Sequence, residues 1–92
     1  MNDVQRNLHA QLKSFGIRGL GICLWDSYSI KINRNETGAI IRYNGITDTY
    51  TVTYYQGQEV SEPVHDVFVG DLGTVIARVR RANFRGYFRA RS

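Results

Sequence analysis

The sequence predicts a single α+β domain in α-β-β-β-α order, in which a three- to four-stranded antiparallel sheet is flanked by an N-terminal and a C-terminal helix and followed by a basic tail. Three observations carry this reading. Apolar residues near the N-terminus recur every three to four positions, the period drops to two from Leu20 onward, and spacings of three and four return after Val64 and run into a cluster of arginines. With 92 residues, no internal repeat and no low-complexity linker, the whole of 1–92 is expected to be one domain, with 83–92 as a basic aromatic tail.

Residues 2–15 place Val4, Leu8, Leu12 and Phe15 on one helical stripe. Asn2 or Asp3 suits the cap, Lys13 the last turn, and Gly16 the left-handed position beyond it. Gln5, Arg6, His9 and Lys13 are expected on the outer face. Leu20, Ile22, Leu24, Tyr28, Ile30 and Ile32 then occupy even positions. Asp26-Ser27 interrupts the alternation, so the segment is either one bent strand or two strands around a tight turn.

A strand is predicted over 38–43, closed by the hairpin signal Asn44-Gly45, both of which tolerate positive φ. The returning strand, 47–55, alternates Thr49, Thr51, Thr53 and Tyr55 against Tyr50, Val52 and Tyr54, the pattern of a half-buried antiparallel strand. Gln56-Gly57-Gln58 turns the chain, and 59–63 is a polar connection or short edge segment. Val64, Val67, Phe68, Leu72, Val75, Ile76 and Val79 fit a helical face, although Gly70, Gly73 and the β-branched residues also suit a hairpin. A helix over about 70–82 is the favoured reading, because Asp71 complements its first turn and the arginines its last.

The most informative stretch is 78–92, RVRRANFRGYFRARS, with six arginines (Arg78, Arg80, Arg81, Arg85, Arg89 and Arg91), three aromatics (Phe84, Tyr87 and Phe88) and no acid. Six basic residues then face eight acidic ones in 1–77, so the body is near −2 and the tail +6. Clustered guanidiniums seek a polyanion or an acidic protein groove. Interleaved arginines and aromatic rings supply phosphate forks and stacking faces for unpaired bases. The candidate binding residues are Arg78, Arg80, Arg81, Arg85, Tyr87, Phe88, Arg89 and Arg91. The plainer reading is that Phe84 and Phe88, four apart, close the core while the arginines are solvated. The tyrosines of 43–55 carry the same choice between core packing and an exposed platform for bases or protein.

Other chemistries find little support. The string Phe15-Gly16-Ile17-Arg18-Gly19-Leu20-Gly21 lacks the preceding strand and the Lys-Ser/Thr ending of a phosphate loop. His9 and His65 are the only histidines, and His65-Asp66 are sequence neighbours rather than a site. Cys23 is the single cysteine, expected as an inert core thiol, so there is neither an internal disulfide nor a Cys-rich zinc site. Neither catalysis, a metal nor a cofactor is expected. With no signal-peptide pattern and no apolar run near the ~20 residues of a membrane span, the expected location is the cytoplasm of a host bacterial cell, and Asn35-Glu36-Thr37 is a chance sequon.

Two resemblances follow. The element order and basic second helix, over 2–81, resemble the double-stranded-RNA-binding domain, whose second helix presents basic residues to phosphates. At the start of that helix this chain has Phe68-Val69-Gly70-Asp71-Leu72-Gly73 in place of the family's lysine-rich segment, which moves any RNA contact to the helix's other end. The overall build, a small cysteine-poor α+β domain with lopsided charge and no catalytic set, resembles small anti-CRISPR proteins carried by phages, which share no motif. That resemblance implies a non-catalytic inhibitor whose 78–91 stretch meets guide RNA, target DNA or acidic protein in a CRISPR surveillance complex and blocks target binding. A small RNA- or DNA-binding module and a structural phage protein assembling through its tail are the alternatives.

Overall fold

The computed structural model describes residues 1–88. It is an α+β fold: helix α1 (Asp3–Ser14), strands β1 (Gly21–Asp26), β2 (Ser29–Arg34), β3 (Thr37–Asn44), β4 (Thr49–Gln56), β5 (Glu59–Val60) and β6 (Val64–Val67), a 3-10 turn at Val69–Asp71, and helix α2 (Leu72–Arg81). The strands form one antiparallel sheet in the order β1-β2-β3-β4, with β5 and β6 sharing the far edge of β4. Both helices lie on one face of this sheet and touch each other.

Asn2 and Gln5 form a capping box at the start of α1. The Asn2 side chain accepts from the Gln5 amide at 2.8 Å, and the Gln5 side chain accepts from the Asn2 amide at 3.0 Å. Gln5 is also buried, which corrects its expected place on the outer face. Its side-chain amide donates to the Asp26 carbonyl at 2.6 Å, while Asn2 donates to the Ser27 carbonyl at 2.8 Å. The helix start is therefore fastened to the turn that separates β1 from β2. That turn makes two strands of the interrupted alternation.

Three hairpins have two-residue loops, at Ser27-Tyr28, Asn35-Glu36 and Gly57-Gln58, the last two with positive φ at Asn35 and Gly57. The Asn44-Gly45 signal does not make the expected tight turn. Asn44 pairs with Thr49 across a four-residue loop, Asp48 takes the positive φ, and the returning strand begins at Thr49 rather than Thr47. The Tyr43 hydroxyl donating to Asp48 at 2.8 Å and the Asn44 amide donating to Thr51 at 2.7 Å hold this wider loop.

The strand count is higher than the three or four expected. β5 and β6 are two halves of an edge strand broken at Glu62-Pro63, where proline supplies no N–H for a ladder. Ser61 carries pairing past the break. Its amide donates to the Tyr54 carbonyl and its hydroxyl accepts from the Tyr54 amide. Consequently Val64 and Val67, read as the start of a helical face, pair with Val52 and Tyr50, and helical spacing begins only at Leu72. The element order resembling the double-stranded-RNA-binding domain is thus interrupted by additional strands.

The core lies between the helices and the sheet face formed by Ile30, Ile32, Ala39, Ile41, Tyr50, Val52 and Tyr54, filled by Leu8 and Leu12 from α1 and Leu72, Val75, Ile76 and Val79 from α2. Removing each fully buried aliphatic side chain from water contributes about 1.5–3 kcal/mol. At Gly73 an added Cβ would sit 3.0 Å from the Phe15 ring, so the glycine that disfavours helix locally permits the close crossing of α1 and α2.

Candidate nucleic-acid interface

The arginines of α2 divide into two kinds. Arg78 and Arg80 are half-buried and committed within the fold. Arg78 donates to the Tyr54 hydroxyl at 3.2 Å and lies 4.8 Å above the centre of the Tyr87 ring. Arg80 donates to the carbonyls of Arg18 at 2.6 Å and Gly16 at 2.8 Å, strapping the end of α2 to the loop between α1 and β1. Arg34 in turn donates to the Arg80 carbonyl. By contrast, Arg81 and Arg85 are exposed, and their side chains form no hydrogen bond or ion pair among the described residues.

The helix ends at Ala82 in the left-handed conformation, with φ 50, and the Asn83 amide donates back to the Arg78 carbonyl at 3.0 Å. This reversal carries 83–88 back over the core. Phe84 is buried 5.3 Å from the Tyr54 ring centre, Tyr87 is 4.8 Å from the same ring, and Phe88 packs edge-on against Phe84 at 5.6 Å. Tyr87 and Phe88 are half-buried by these contacts. Their rings are packed as well as basic-flanked, and Arg85 points into solvent from the same turn. Arg89 and Arg91 lie outside the described residues.

A shallow cleft of about 690 Å³ runs between the β2–β3 turn and the end of α2, lined by Arg34, Glu36, Thr37, Arg80 and Arg81 among others. Three guanidiniums and one carboxylate border it. Cations at the C-terminal end of a helix are also favoured by its dipole, which lowers the cost of gathering Arg78, Arg80 and Arg81 there. The cluster's exposed members, Arg81 and Arg85, can meet phosphate or carboxylate without breaking a contact of the fold.

Burial pushes the Tyr54 phenol above its ordinary 10.0, with the Arg78 guanidinium pulling the other way. The same hydrogen bond raises Arg78 above its ordinary value. Tyr50 is raised by burial as well. Tyr50 and Tyr54 are therefore core tyrosines, while Tyr55, one residue on, projects from the opposite face.

That opposite face carries Trp25, Lys31 and Arg42, which the sequence reading passed over, beside Tyr55, one of the tyrosines offered as core or platform, and Tyr28, read among the even positions of the alternation. Lys31 places its ammonium 5.2 Å from the Trp25 ring centre and 4.9 Å from that of Tyr55, and Arg42 sits 5.8 Å from that of Tyr28. Trp25 is 53% and Tyr28 50% exposed. The signal was present in the sequence: once even positions are core, the odd ones of β1 and β2 must form the other surface. Cys23 belongs to this exposed surface too, which corrects its expectation as a core thiol.

His65 contacts the Thr51 hydroxyl through Nδ1 at 3.2 Å, on the edge of the sheet opposite Cys23. His65 and Asp66 border an open groove of about 970 Å³ with Tyr28, Arg42, Tyr43 and the 44–47 loop. Among the described residues no three His, Cys, Asp or Glu side chains gather to hold a metal, and no helix is long and apolar enough to cross a membrane. No protein-family model matches the chain, nor does any curated protein or solved structure.

Proposed function

We propose that this chain is a non-catalytic binding protein directed at a nucleoprotein assembly, and in particular an inhibitor of the anti-CRISPR kind, which seats its basic C-terminal region on an RNA-guided surveillance complex and blocks target DNA. The observation that carries the reading is the arginine cluster at the end of α2. Arg78 and Arg80 are fixed by hydrogen bonds, and Arg81 and Arg85 stand exposed beside them with no acid paired to them among the described residues. Arg78 and Arg80 hold the end of α2 in place, so the exposed Arg81 and Arg85 are presented from a fixed backbone, which favours a partner of matching charge and shape. The six arginines and absence of acid in 78–92 support the same direction.

A small RNA- or DNA-binding module is the second reading, favoured by the exposed aromatic and cationic sheet face. The deciding experiment expresses the protein in cells whose CRISPR system targets a transformed plasmid. The inhibitor reading expects transformation to recover with the wild type and to fail with Arg81→Ala/Arg85→Ala. Intact interference in every system tried, with the purified protein binding free oligonucleotides, favours the module.

A further inference from the structure

We infer that the sheet face turned away from the helices is a binding site for an unpaired nucleic-acid strand, centred on Trp25, Lys31 and Tyr55. This surface is separate from the arginine cluster, and the inference stands whether or not a CRISPR complex is the target.

The cross-strand register builds the platform. Asn33, Gly38 and Tyr55 lie opposite one another on β2, β3 and β4. Gly38 has no side chain, and a Cβ there would collide with the Tyr55 ring and the Ile32 carbonyl. Tyr55 therefore lies across the sheet over Gly38, towards β2. From the other side, the bulge between Leu24 and Asp26 turns Trp25 onto the same face. Lys31 stands between the two rings, within 5.2 Å of both centres. Arg42 over Tyr28 repeats the pairing of cation and ring nearer the β1–β2 turn.

Charge decides the occupant. Around the platform itself, on β1 to β4, Lys31 and Arg42 are the cations and Asp26 the acid, while Asp66 on β6 borders the groove beyond Arg42 and Tyr28. Asp26 sits in the bulge at the rim, where its carboxylate accepts from the Tyr28 amide at 2.8 Å. Lys31 is not ion-paired with an acid among the described residues, whereas the Arg42 charge helps the Tyr28 amide to hold the Asp26 carboxyl below its ordinary value. An apolar protein surface laid here would bury the Lys31 ammonium without a counter-charge, which is costly. A single strand brings one anion and one flat ring with every nucleotide, which matches the alternation of cation and ring. A duplex keeps its bases stacked inside and offers the rings nothing to stack on.

Trp25 is the only tryptophan, so its emission reads occupancy of the platform directly. The probes are oligo-dT and oligo-U of about 12 nucleotides, within the span of known stacking sites, beside a duplex of equal length. Saturable quenching by either single strand, and not by the duplex, is expected. Lys31→Ala, which removes a half-buried side chain that lies outside the hydrophobic core, and Tyr55→Ala should each weaken binding about tenfold. Arg81→Ala/Arg85→Ala should leave the quenching in place. Absence of quenching, or quenching lost with the arginine variant and kept with Lys31→Ala, overturns the inference. So does retention of a protein subunit from nuclease-treated lysate through Trp25 without any oligonucleotide response.

Discussion

The Arg78 guanidinium donates to the Tyr54 hydroxyl at 3.2 Å, and this bond joins the basic end of α2 to β4, an inner strand of the sheet. It converts a residue that charge alone would assign to a partner into part of the scaffold. Tyr54 is 1% exposed, so its hydroxyl depends on this donor. Arg78→Ala should cost about 1–3 kcal/mol by leaving that group without its partner, whereas exposed Arg81→Ala should stay within about 0.5 kcal/mol of wild type. Urea unfolding of the two variants side by side makes the comparison. Equal stabilities would mean that the Tyr54 contact contributes nothing.

Phe84 should behave as core. Its truncation to Ala removes a ring packed on Tyr54 and Phe88 and is expected to cost about 3–5 kcal/mol. Thermal unfolding reads the result, and an unchanged midpoint would place Phe84 on the surface.

Ala82 gives a prediction of opposite sign. It holds a left-handed φ of 50 at the end of α2, a conformation that costs a residue with a Cβ about 1 kcal/mol or more relative to glycine. Ala82→Gly should therefore stabilise the fold by about 0.5–1 kcal/mol, after allowing for glycine's greater freedom in the unfolded chain. Destabilisation in urea would contradict a left-handed reversal at Ala82.

Alkaline pH should unfold the protein through its core tyrosines. Burial raises Tyr50 and Tyr54 above 10.0, so the folded state binds their protons more tightly than the unfolded state does. Stability from these groups is complete below about pH 10, the unfolded phenol's value, and is lost as pH rises through their folded values. Tyr50→Phe should flatten the decline. A denaturant midpoint followed from neutral pH upward, in both proteins, checks the sign, and identical declines would refute the assignment to Tyr50.

Local signals made much of the fold legible. The Asn2 cap, the Leu8/Leu12 stripe and the even-odd alternation of 20–32 and 49–55 each state a structure within a few residues. What was not legible depends on contacts distant in sequence. Val64 and Val67 have helical spacing to Leu72, but β4 offers them an open edge, and pairing outweighs spacing. Gln5 looks like a solvent residue until the Asp26 carbonyl claims it. Asn44-Gly45 is overruled by side-chain bonds from Tyr43 and Asn44 that favour a wider loop. In the candidate site, the sequence located the arginines without separating Arg78 and Arg80, which need Tyr54, Arg18 and Gly16 as partners, from Arg81 and Arg85, which have none among the described residues.

The most direct measurement of the central claim is a pull-down from bacterial lysate, with and without nuclease, comparing wild type with Arg81→Ala/Arg85→Ala. A nucleoprotein-directed inhibitor should retain defined protein subunits after nuclease treatment, and the variant should lose them. Recovery of heterogeneous RNA or DNA that disappears with nuclease, leaving no protein subunit behind, would contradict that claim.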